Sequence, residues 1–118
     1  MSQNLIVEKS FQFAIRIVKL ARYLREEKKE YVLSKQILRS GTSVGANIRE
    51  AENTPSKRDF TCKMNIALKE AGETEYWIEL LIATSYLDKN DGRSILADCK
   101  EVNKILSSIV KTSRISLS

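Results

Sequence analysis

The sequence predicts an all-α protein, an antiparallel up-down-up-down four-helix bundle, on three observations. Apolar residues return every three or four positions along four long segments, which is the period of one helical face. The chain holds one Pro and four Gly, too few breakers for the many turns of an all-β fold. Its 118 residues are 42% hydrophobic and 30% charged, the balance of a single globular domain able to bury one core.

The first helix is expected over about residues 4–29. Val7, Phe11, Ala14, Val18 and Ala21 form one stripe, and Phe13, Ile17, Leu20 and Leu24 form a second beside it. Together they are wider than the apolar face of a simple amphipathic helix. The second helix, about 32–53, has Leu33, Ile37, Val44, Ile48 and Ala51 on its seam. Its middle, Ser40-Gly41-Thr42-Ser43-Val44-Gly45-Ala46, is a weak helix former and alone reads as a loop. The seam stays in phase on both sides, so the helix is taken as continuous, with Gly41 and Gly45 admitting a neighbouring backbone.

Thr54-Pro55-Ser56 breaks the chain, and Ser56 with Asp59 resembles a capping box. The third helix, about 57–87, repeats apolar or small residues from Phe60, Met64, Ala67 and Ala71 through Thr74, Ile78, Leu81 and Ser85. Such a seam implies shallow side-by-side packing. Asn90-Asp91-Gly92 reads as a turn. The fourth helix, about 93–112, carries Ile95, Cys99, Val102, Leu106 and Ile109. Short connections between long helices favour antiparallel neighbours. The whole chain, 1–118, is one domain.

Several functions are disfavoured by composition. The chain has no histidine, which removes Ser–His and Cys–His nucleophiles and the His-containing zinc and di-iron sites. Cys62 and Cys99 have no metal spacing and read as buried, reduced thiols. No cofactor or metal is expected. Glu50, Glu73 and Asn47 are the polar groups best placed for chemistry at helix interfaces, yet salt bridging explains them better, and the chain is not expected to be an enzyme. No apolar run reaches the roughly 18 residues of a membrane span, and no signal-peptide core opens the chain. A cytoplasmic protein without membrane contact is expected.

Net charge is +5 from 20 Lys and Arg against 15 Asp and Glu. On the third helix Lys57, Arg58, Lys63 and Lys69 precede Glu70, Glu73, Glu75 and Glu79, an order that opposes the helix dipole. An antiparallel second helix offsets it, with Glu50 and Glu52 near Lys57, Arg58 and Lys63, and Lys35 and Arg39 near Glu73, Glu75 and Glu79. The same register sets Gly41 and Gly45 opposite residues 66–72.

The excess charge lies elsewhere. The first helix carries Lys9, Arg16, Lys19, Arg22 and Arg25 with no acid among them, and the fourth carries Lys100, Lys104, Lys111 and Arg114 on one stripe. Two basic stripes could meet a phosphate backbone, so Lys9, Arg16, Lys19, Lys100, Lys104, Lys111 and Arg114 are the candidate nucleic-acid contacts. A solvated face is the commoner meaning of such stripes, and no aromatic residues interleave with these cations as in single-strand stacking platforms. Tyr76, Leu80, Ala83 and Leu87 form an extra stripe on the third helix beside Trp77. Phe13, Ile17, Tyr76, Trp77 and Leu80 are therefore the candidate surface between copies of a homo-oligomer. The alternative is an adaptor that binds another protein and has no nucleic-acid role.

The chain resembles the 23S ribosomal RNA intervening-sequence proteins. The residues that carry the likeness are Ser34-Lys35-Gln36-Ile37-Leu38-Arg39-Ser40-Gly41-Thr42-Ser43, Asn47-Ile48-Arg49-Glu50-Ala51, and the run from Phe60 through Ala67-Leu68-Lys69-Glu70-Ala71 to Glu73-Thr74-Glu75-Tyr76-Trp77. Arg49 and Ala51 stand where a common family form has Ala and Gly. The resemblance implies a bundle that assembles as a ring, expected to be a pentamer. Some members are encoded within insertions in ribosomal RNA genes, which implies RNA association. The family is also similar to the accessory variability determinant of diversity-generating retroelements, a basic bundle that partners a reverse transcriptase and nucleic acid. The resemblance supplies no catalytic residue.

Overall fold

In the computed structural model, residues 2–117 are described, with side chains over 4–117. Four helices follow one another: α1 (Ser2–Glu26), α2 (Leu33–Glu52), α3 (Lys57–Ala83) and α4 (Lys89–Leu117). Each helix packs on its neighbours in sequence, and α4 closes on α1, leaving α1 diagonal to α3. The result is the expected antiparallel bundle, a rod of 47 × 20 × 20 Å.

The core is the seam read from the period, with one shift on α1. Ile6, Phe13, Ile17 and Leu24 point inward, whereas Phe11 and Val18 are 48% and 38% exposed. Of the two α1 stripes, the second is the core face, and much of the first lies on the outer flank beside α2.

Helix α2 is continuous through its weak middle because tertiary packing overrides propensity. Ser40, Gly41 and Val44 are buried there, and the Thr42 hydroxyl donates to the Leu38 carbonyl at 2.6 Å. The two glycines face α1, not α3 as the register argument expected. A Cβ on Gly41 would come within 2.8 Å of Ile17 Cγ1 and Cγ2, whereas one on Gly45 would sit 3.6 Å from the Ser10 carbonyl oxygen. Close approach therefore needs Gly only at position 41. Helix α3 instead meets α2 through polar groups. Thr74 Oγ1 lies 2.7 Å from the Glu70 carbonyl and 2.8 Å from Ser40 Oγ. Thr74 has one hydroxyl proton and the carbonyl can only accept, so the Ser40 hydroxyl donates to Thr74.

The third connection departs most from expectation. Helix α3 stops at Ala83, four residues short, in a Schellman turn: Ser85 is left-handed (φ 66°), and the Tyr86 N–H donates to the Leu81 carbonyl at 3.0 Å. Leu87 lies beyond the helix yet is buried. Asn90-Asp91-Gly92 is no turn but the first turn of α4. Asp88 caps that helix, accepting from the Asp91 N–H at 2.8 Å, which holds the Asp88 carboxyl below its ordinary range. Gly92 is buried because α4 enters against α3, where a Cβ would fall 2.5 Å from Ile82 Cγ1. At the other connection, Ser56 accepts from the Asp59 N–H at 3.1 Å, the expected cap.

Candidate nucleic-acid interface

The charges between α2 and α3 pair in part, while Lys35, Glu52, Arg58 and Glu79 form no ion pair among the described residues. Lys63 Nζ is 2.8 Å from Glu50, and Arg39 bridges Glu70 at 3.3 Å and Glu73. Glu75, expected to face Lys35 and Arg39, instead accepts from the Asn103 amide of α4 at 2.8 Å. The polar groups considered for chemistry are thus occupied: Glu50 by Lys63, Glu73 by Arg39 and by the Trp77 indole N–H at 3.0 Å, and Asn47 by Ser43 in its own helix. Among the described residues no group of three or more His, Cys, Asp or Glu is placed to hold a metal ion.

The basic stripe of α1 is divided by the fold. Its α4-facing edge is neutralised, with Lys9 Nζ 3.1 Å from Glu101 and Arg16 Nη1 2.6 Å from Asp98. Sequence reading along one helix misses this, because the acids stand on α4. Lys19 is exposed and has no ion-pair partner among the described residues. On α4, Lys100, Lys104 and Lys111 are likewise exposed and unpaired, and exposed Arg114 shares their flank.

Lys104 overlooks a groove of about 1060 Å³ at the end of the bundle, between the start of α1, the α2–α3 turn and the end of α4. Phe60, Ile105 and Ile109 give the groove an apolar floor, and Ser108 and Thr112 supply hydroxyls on the α4 wall. Lys57 lines the opposite wall and donates to the Ser116 hydroxyl at 2.6 Å.

The residues expected between copies are separated. Phe13 and Ile17 are 2% and 0% exposed: they fill the chain's own core, so neither is available to a partner. Tyr76 is 57% exposed, with Trp77 half-buried against it, ring centroids 5.2 Å apart, and Leu80 half-buried beside them. The exposed apolar residues of α1 are Leu5, Phe11, Ile15 and Val18, and the Arg49 guanidinium sits 5.2 Å above the Phe11 ring. Cys62 is exposed, contrary to expectation, because it lies two positions from both Phe60 and Met64, on the face of α3 turned away from the seam; Cys99 is buried, and burial, followed by nearby Glu75, raises its thiol pKa to about 12.

No described helix is long and apolar enough to cross a membrane. No curated protein matches the chain. Among solved structures it is similar to a protein of unknown function from the S23 ribosomal protein family of Bacteroides thetaiotaomicron, with 58% identity and a TM-score of 0.92, covering 94% of this chain and 99% of that one. The family model for 23S rRNA-intervening sequence proteins matches residues 2–108. The chain therefore belongs to the 23S rRNA-intervening sequence protein family.

Proposed function

We propose that the protein is a non-catalytic, oligomeric scaffold that associates with RNA or DNA. The observation that carries the nucleic-acid half is the α4 flank, where Lys100, Lys104 and Lys111 stand exposed without acidic partners among the described residues. Phosphate oxygens accept from Lys and from Ser and Thr hydroxyls, and the groove beneath Lys104 provides Ser108 and Thr112. Lys19 extends the same reading to α1, while Lys9 and Arg16 are held by acids and contribute less. The family's description, 23S rRNA-intervening sequence protein, is what favours RNA over DNA.

The assembly half rests on two apolar faces. Phe11 and Ile15 are exposed on α1, and Tyr76 on α3, and the two helices are diagonal in the bundle. Different patches on opposite sides pair head to tail, which generates rings when the rotation closes; a pentamer is the expected closure. If the same faces engage another protein instead, the chain is an adaptor, and the Tyr76–Leu80 face is where a partner helix would lie.

A salt titration tests the nucleic-acid half. Binding of a labelled RNA should weaken steeply as salt rises, and replacing Lys104 and Lys111 by Gln should lower the slope of log K against log salt by about 2. An unchanged slope would remove the α4 flank from the reading.

A further inference from the structure

At the opposite end of the rod, where the chain reverses from α1 into α2, lies a smaller pocket of about 510 Å³. Arg22, Arg25 and Lys29 line it together with Tyr31, over an apolar floor that includes Val18 and Leu38. None of the three cations has an ion-pair partner among the described residues. One of them, Arg25, occupies the last turn of α1 and offsets the dipole there; Arg22 and Lys29 are in excess of that need.

The nearest acids do not cancel this charge. Glu30 is committed to α2, accepting from the N–H groups of Leu33 at 3.0 Å and Ser34 at 2.8 Å, and Glu26 lines the pocket as one carboxylate against three cations. The same capping bonds fix the turn on one side of Tyr31, and Lys29 in left-handed backbone (φ 54°) fixes it on the other. The Tyr31 backbone is thereby held, and its ring, 59% exposed, stands at the pocket. An exposed aromatic face beside three unpaired cations is the combination that single-strand binding sites use, and here the fold assembles it from a helix and a loop. In the sequence, Tyr31 is separated from Arg25 by three Glu and two Lys, so no interleaving is visible.

We propose that this pocket takes one nucleotide of a single-stranded nucleic acid, its base stacked on Tyr31 and its phosphate held by Arg22, Arg25 and Lys29. The proposal rests on the nucleic-acid reading above and adds a site that the basic stripes did not include. A duplex presents its base faces only to each other, so the pocket discriminates against it.

Fluorescence anisotropy with a labelled 12-mer oligouridylate, and with an RNA duplex of the same length, tests this. Tyr31→Leu should weaken single-strand binding about tenfold, within the range of one stacked base, while leaving duplex binding unchanged, and Tyr31→Phe should retain wild-type affinity. Arg22→Gln with Arg25→Gln should reduce the salt slope for the single strand by between about 1 and 2. All three positions are exposed, and circular dichroism of each variant verifies the fold. Wild-type single-strand affinity in Tyr31→Leu, alongside a loss in the Lys104 and Lys111 variant, would overturn this site and leave the wider reading intact. Failure of the wild-type protein to bind either RNA at low salt would overturn both.

Discussion

The Arg16 guanidinium lies 2.6 Å from the Asp98 carboxylate across the seam between α1 and α4, so one of the most prominent cations of the sequence is internally neutralised. Both groups are more than a third exposed, and such pairs contribute at most about 1 kcal/mol. Replacing Arg16 by Gln should therefore shift the urea midpoint only slightly. Its effect on RNA affinity should be smaller than that of Lys104→Gln, measured side by side at one salt concentration.

The contact between Gly41 and Ile17 sets the distance between α1 and α2. Gly41→Ala places a methyl 2.8 Å from two Ile17 carbons and should destabilise by about 1–3 kcal/mol through overpacking. Gly72→Ala meets nothing within 4 Å and should stabilise by up to about 1 kcal/mol through helix propensity. Adding Ile17→Ala to Gly41→Ala should cost less than the sum of the two single changes, because they share one contact. Urea unfolding of the four variants checks all three statements.

Asp88 makes stability depend on pH in a stated direction. Its carboxyl is held below the ordinary range, first by the Asp91 N–H. A group whose folded pKa is depressed contributes fully above its unfolded pKa of about 3.9 and loses that contribution as pH falls through the lower folded value. Asp88→Asn keeps a capping side chain without the charge. Its difference from wild type should be constant from neutral pH down to about 4 and shrink below that, as read from urea midpoints across the range.

The two thiols should report the packing of α3 and α4. Cys62 is exposed and Cys99 buried, with the Cys99 pKa raised to about 12. Reactivity follows the thiolate fraction and access. In the native protein a thiol reagent at pH 8 should modify Cys62 promptly and Cys99 only on unfolding. Peptide mapping of the labelled chain identifies which has reacted.

The fold was largely legible because four buried seams impose one period, and even the weak middle of α2 kept it. Two features resisted reading. Asn90-Asp91-Gly92 has the composition of a turn, and only the packing of Gly92 against Ile82, with the Asp88 cap, makes it helical. The partition of α1 into core and flank was ambiguous because both stripes have helical spacing, and the choice depends on where α2 and α4 stand. The candidate sites suffered from the same cause. The pairing of Arg16 with Asp98, and the placing of Tyr31 at one pocket with Arg22 and Arg25, are relations between elements that no spacing along one helix encodes.

The claim on which the account turns is that the apolar faces left outside this bundle are covered by further copies of the chain. Sedimentation equilibrium over a wide concentration range measures that directly. The expected result is one species at a fixed multiple of 13.4 kDa, five-fold for the expected ring, which falls apart when Phe11, Ile15 and Tyr76 are replaced by polar residues. A wild-type chain that remains at 13.4 kDa throughout would contradict it.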